Sequence, residues 1–169
     1  EQRKKERCQE VSGEVVRRHW KNWEARIFAE RHIPLLRIAV AGSRSGIGVT
    51  HTALWRGPIS AAEGVSCLYR EQNDTGAVRR LASWYGMVPD EHGIYYMDGL
   101  ALEPRYSDVV QLEQPVFEVI LDDCGTRLQT VLDGEYDLIL FVCGLQPWEK
   151  EDSLRAIRFW EQKRDSRFY

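Results

Sequence analysis

One run in this chain has residue types and spacing suited to chemistry on a phosphate: Gly42-Ser43-Arg44-Ser45-Gly46-Ile47-Gly48-Val49-Thr50-His51. Glycines spaced in this way let a backbone turn sharply and bring its amide donors close to an anion. A helix that starts directly after them adds its positive end. Arg44 is the cation of the run, and His51, on the first helical turn, could hydrogen-bond a phosphate oxygen. Val49 stands where a phosphate-binding loop ordinarily carries lysine, and it brings neither charge nor donor. Further along, Asp122 and Asp123 close an apolar run. Adjacent strand residues point to opposite faces, so only one of the two carboxylates reaches a given site, and position favours Asp122.

The elements that must hold these residues follow from periodicity. An apolar strand over 35–41 feeds the loop. A helix from about Thr50 to Trp55 or a little beyond follows and is curtailed at Gly57-Pro58. A second strand is expected over 65–70, then a helix capped by Thr75, carrying Val78, Leu81, Ala82 and Tyr85 and stopped by Gly86. His92-Gly93 and Asp98-Gly99 read as turns around a short strand at 94–97. A buried strand over 116–121 ends at Asp122-Asp123-Cys124-Gly125, a short helix fits 126–132, and a last strand fits 136–142. Pro147 opens a final amphipathic helix with Leu154, Ile157 and Trp160 on one face. The turn Leu145-Gln146-Pro147-Trp148-Glu149 reads either as the rim of a site or as a staple through Trp148.

Ahead of all this, residues 1–31 read as one long helix. Its apolar stripe is Val16, Trp20, Trp23 and Ile27, its other side is charged, and Pro34 ends it. The stripe could pack on its own domain or on a partner. The expected organisation is an N-terminal amphipathic helix or linker over 1–33 and an α/β domain over 34–169. The longest strands are continuous apolar runs, which belong to a mostly parallel sheet covered on both faces, a three-layer arrangement. Ligands of such sheets gather beyond the carboxyl ends of the strands, where the glycine loop, Asp122-Asp123 and Gly144 would converge.

With 169 residues, 43% of them hydrophobic, the chain can supply one ordinary core. A net charge of −3 gives no strong nucleic-acid signal. No apolar run approaches the roughly 20 residues of a membrane span, and no apolar segment follows the charged start EQRKKER. Cys8, Cys67, Cys124 and Cys143 are scattered singly, so reduced thiols and a cytoplasmic setting are expected. The four histidines show no metal-ligand spacing. The absence of an initial Met and the end at Arg167-Phe168-Tyr169 suggest a fragment.

The run Arg44 to Thr52 resembles the KGGVGKTTT loop of the MinD/ParA-like ATPases. Gly46, Gly48 and Thr50 match, Arg44 replaces the early lysine, and Val49 replaces the loop lysine. FEVILDDCG, residues 117–125, resembles that family's YDYIIIDxxxG strand, and residues 136–144 resemble the strand after it. The resemblance implies a P-loop type sheet and ATP or ADP with Mg2+ held along Ser43, Arg44, Ser45, Gly46, Ile47, Gly48, Val49, Thr50 and His51. It implies Thr50 and Asp122 as the magnesium-facing pair and Asp122 as the catalytic aspartate. It also implies a regulatory, localisation or assembly factor working through protein contacts, with a possible homodimer. The family's aspartate after the second strand has no counterpart in CLYREQ, and its later strands are not seen. Losing the loop lysine removes an electrostatic contact commonly worth about 3 kcal/mol or more in rate, which implies weak or no hydrolysis.

Three other readings stay open. Arg44 could serve as the phosphate cation of an active ATPase. The glycines could make a tight turn in a ligand-free scaffold. Lastly, Gly42 to Gly48 fits the GxxxGIG loop of short-chain dehydrogenases, with Glu71 at about the distance of a ribose contact, although no Tyr is followed by Lys four residues on and no Asn-Asn-Ala-Gly occurs.

Overall fold

The structure of the protein is a computed structural model that describes residues 35–62, 64–106 and 116–165. The helix expected over residues 1–31 and Cys8 lie outside these residues. Six strands form one sheet: β1 Leu36–Gly42, β2 Cys67–Glu71, β3 Tyr95–Met97, β4 Leu100–Glu103, β5 Val119–Gly125 and β6 Leu138–Val142. Their order is β3-β4-β2-β5-β1-β6, and every neighbouring pair is parallel except the β3–β4 hairpin. Four helices accompany them among the described residues: α1 Val49–Ala62, α2 Ala77–Tyr85, α3 Leu128–Asp133 and α4 Lys150–Asp165. The fold is thus α/β with a mostly parallel sheet, as the continuous apolar strands require. Among the described residues no helix is long and apolar enough to cross a membrane.

Strand parity sorts the core into two layers. On one face, Ala39 and Ala41 of β1 and Cys124 of β5 pack with Val131 and Leu128 of α3 and with Trp160 of α4. On the other face lie Tyr69 of β2 and Asp123 of β5, and α1 reaches them through Thr50. The register of β5 on β1 shifts between Val40 and Ala41, a bulge that falls beside Asp123.

Several elements differ from the sequence expectation, each for a local reason. Helix α1 does not stop at Gly57-Pro58 but runs to Ala62. Pro58 removes only the amide that would reach Leu54, a local cost of about 3 kcal/mol that does not force an end when the rest of the helix is docked. Strand β5 continues through Asp122-Asp123 because both carboxylates find donors, one on each face. Strand β4 was not expected. It pairs with β3 across Asp98 (φ 49) and Gly99 (φ 81), a two-residue turn with both residues left-handed. Thr75 does not cap α2. The buried carboxylate of Glu71 does, accepting from the Ala77 amide at 2.6 Å and from the Thr75 hydroxyl at 2.9 Å. Gly86 does end α2, in the left-handed conformation. Finally, α4 buries Ser153 and Ala156 and leaves Leu154 and Ile157 exposed. At Ser153 the helix meets the Gly144 carbonyl, 2.9 Å from its hydroxyl.

Candidate functional site

The glycine loop joins β1 to α1 and contains two kinds of glycine. Gly46 (φ 75) and Gly48 (φ 101) are left-handed, and a Cβ on either would meet nothing within 4 Å. Conformation alone demands glycine there, and it leaves open space beside the loop amides. Gly42 is demanded by crowding: a Cβ would lie 2.4 Å from Val49 Cγ2 and 2.6 Å from Ile47 Cγ2. Val49 is buried and folds back over the start of the loop, filling it with methyl groups. Ile47 packs there too.

Thr50 projects from the first turn of α1 and donates its hydroxyl to Asp123 Oδ2 at 2.6 Å. The Tyr69 hydroxyl donates to the same oxygen at 2.7 Å, and the Gly125 amide donates to Oδ1 at 3.0 Å. Burial first, and the neighbouring Asp123 charge second, push the Tyr69 phenol far above its ordinary value. It therefore stays a donor. A carboxylate only accepts, so the Thr50 proton is committed to Asp123 while the lone pairs of its oxygen stay available.

Asp122 is not at this site. It is fully buried on the opposite face, where Arg70 grips it twice, Nε to Oδ1 at 2.6 Å and Nη2 to Oδ2 at 2.8 Å, and Arg37 adds a contact at 3.3 Å. Arg37 in turn lies over the Tyr136 ring at 5.1 Å. Of the two carboxylates, the one that meets the loop's Thr50 is Asp123, not the expected Asp122. Alternation along β5 could not reveal which, because both faces of the strand are buried and its apolar residues fall on both.

The opposite wall comes from the loop after β2. Buried Asn73 donates to the Asp123 carbonyl at 3.1 Å and accepts from the Thr75 amide at 2.9 Å, and its Cβ would lie 3.0 Å from a Cβ on Gly125, a tight fit beside a glycine that is already left-handed (φ 56). Asp74 pairs with Arg105 and Arg127. Between the walls is an open cleft of about 750 Å³, lined by Ser45, Gly46, Gly48, Val49, Thr50 and His51 together with the arginines Arg44, Arg80 and Arg127. Sequence reasoning missed Asp123, Tyr69, Asn73, Arg80 and Arg127. The one usable signal was Gln72-Asn73-Asp74-Thr75, a polar turn at the carboxyl end of a strand next to β5.

Arg44 is engaged on one side only. Its Nη2 meets Glu149 Oε1 at 2.5 Å and Nη1 donates to the Ser45 carbonyl at 3.3 Å, whereas Nε is buried with no acceptor among the described residues. The Arg44 contact holds the Glu149 carboxyl below its ordinary range. Ser43 is turned away from the cleft, its hydroxyl 3.4 Å from that of Ser153. Open glycine amides at the start of a helix and the lone pairs of Thr50 fit a phosphate oxyanion. They fit a magnesium ion only as a companion of that phosphate, held by Thr50 with Asp123 behind it. No group of three or more His, Cys, Asp or Glu side chains converges among the described residues. Glu71 is engaged as the α2 cap rather than turned to a ribose contact, and Trp148 is 76% exposed, more than a staple buried against the described residues would be.

No family model matches the chain, and no curated protein or solved structure matches it significantly.

Proposed function

We propose that this chain is a degenerate nucleotide-binding-fold protein of the MinD/ParA-like, P-loop kind, which binds ATP or ADP with Mg2+ weakly. It acts through protein contacts as a regulatory, localisation or assembly factor, with little or no hydrolysis. The observation that carries the reading is the Thr50–Asp123 hydrogen bond at the mouth of a left-handed glycine loop. It couples the first turn of α1 to the end of the strand beside β1, where a bound phosphate and its cation would sit. Val49, buried and apolar, supports the lack of efficient turnover, since no cation stands at its position to offset charge moving in phosphoryl transfer. The tie of Arg44 to Glu149 argues the same way, because a cation already paired is a poor substitute for the lysine.

Calorimetry on the parent chain with ADP and with ATP, each with Mg2+, tests the reading. Expected affinities lie in the micromolar to millimolar range, about 4 to 8 kcal/mol, weakened at least tenfold by Thr50→Ala, with phosphate release at background. No heat from either nucleotide would leave a ligand-free scaffold. Phosphate release lost on Arg44→Ala would establish the active ATPase instead, and binding of NAD alone would point to the dinucleotide reading. Sedimentation with and without nucleotide checks the homodimer.

A further inference from the structure

The contact between Arg44 and Glu149 joins two parts of the site that have no chain connection near it. Arg44 belongs to the glycine loop. Glu149 ends the turn that follows β6, and it also accepts from the Gln146 amide at 3.2 Å while its carboxylate closes over Gly144, leaving no room for a side chain there. Buried Ser153, one turn further, donates to the Gly144 carbonyl at 2.9 Å and reaches Ser43 at 3.4 Å. The loop cation and the turn over residues 145–149 are therefore clasped together, and the Glu149 carboxylate is the part of the clasp that holds Arg44. That carboxylate occupies the Nη2 edge of the guanidinium that a phosphate would need.

Resting on the nucleotide reading above, we propose that Glu149 is an internal competitor for the phosphate: it holds Arg44 when the loop is empty, and ligand binding releases it together with the 145–149 turn. Two anions cannot both take the Nη2 edge of one guanidinium. Each ligand that recruits Arg44 then loosens the turn, and by reciprocity anything that loosens the turn tightens the ligand. The turn displays Leu145, 82% exposed, and Trp148, so the placement of these two apolar side chains becomes the readout of loop occupancy. Glu149 is a positioning residue in this scheme, acting through Arg44.

The test uses the full chain, Mg2+ with ADP as probe, and the variants Glu149→Gln and Glu151→Gln. Glutamine keeps a carbonyl for the Gln146 amide, so the turn retains that support while Arg44 is freed. Glu151, exposed two residues on and paired with Arg155, makes the same charge change without a contact to Arg44 among the described residues. ADP should bind Glu149→Gln about two- to fivefold more tightly than the parent, and Glu151→Gln should match the parent. Amide exchange over 143–150 should rise in the parent on adding ADP, and it should already be raised in ligand-free Glu149→Gln. Binding by Glu149→Gln alone would also support the clasp. Equal or weaker binding by Glu149→Gln, with the parent binding normally, overturns the clasp and leaves the nucleotide reading standing. Absence of binding by both proteins overturns the two together.

Discussion

Val49 and Gly42 are matched to each other, and that match explains how a loop of this shape persists without a cation at its end. A valine methyl occupies the space over Gly42 that a Cβ would need, so the pair is close-packed and both residues are constrained by it. Gly42→Ala should therefore cost about 1–3 kcal/mol in urea unfolding. Val49→Ala in the same chain should return part of that loss, a coupling of at least about 0.5 kcal/mol. Strictly additive losses would show that the methyls are not in contact. The aspartates separate in the same way. Removing Asp122 leaves Arg70 and Arg37 facing each other without their shared acceptor. Breaking a buried pair costs about 3–5 kcal/mol, and because both arginines are partly exposed about 2 kcal/mol is expected for Asp122→Asn. Its nucleotide binding should not change. Asp123→Asn should do the reverse at the site, weakening Mg2+-dependent binding tenfold or more by releasing the Thr50 hydroxyl, and the two calorimetric titrations side by side decide which acid faces the ligand. That the pair divides between two faces was legible in the sequence. Its orientation was not, since only the partners across the sheet set it.

At the scale of elements, what could be read depended on whether the deciding contacts were local. The Gly86 stop and the Asp98-Gly99 turn rest on backbone conformations that only a few residue types adopt, and both were visible in the chain. The same turn should have announced β4, because a two-residue Asp-Gly turn needs a strand on each side of it. Helix α1 passing through Pro58 and α4 burying Ser153 and Ala156 rather than Leu154 were not legible, because docking against the sheet and loops decided them. The α2 start is the most informative case. Thr75 has the right residue type to cap, yet Gly76 holds the cap position in a left-handed conformation, and the end of β2 supplies the acceptor through Glu71. Glu71→Ala should cost about 1–2 kcal/mol, near the upper range for caps since the Ala77 amide loses its partner. Glu71→Gln, which keeps an acceptor oxygen, should recover much of it. Equal losses from both would mean that charge, not the hydrogen bond, fixes the start of the helix.

For the whole molecule, the sheet class and the meeting of the glycine loop with the end of β5 were legible because a parallel sheet writes both in continuous apolar strands. Which layer each side chain enters was not, and that division now makes a prediction about the entire fold. Cys67 in β2 and Cys124 in β5 are free and buried at the centre of the sheet, and burial pushes both thiols from 9.0 up to about 12. Tyr69 and Tyr136 are raised as well, by burial first and by neighbouring carboxylates second. All four groups keep their protons in the folded chain longer than in the unfolded one. A group raised in this way contributes fully below its unfolded value, and the contribution is lost as pH climbs towards the folded value. Stability should therefore hold to about pH 9 and then fall through pH 12, by about 1.4 kcal/mol per pH unit for each thiol. Urea midpoints at pH 8, 9.5 and 10.5 check this, with the Cys67→Val/Cys124→Val double variant as the control. The variant should show a visibly shallower decline, from the tyrosines alone. A midpoint that is flat from pH 8 to 10.5 in the parent would mean that the thiols are not enclosed, and with them the packing that holds β5, and so Asp123, in register with β2.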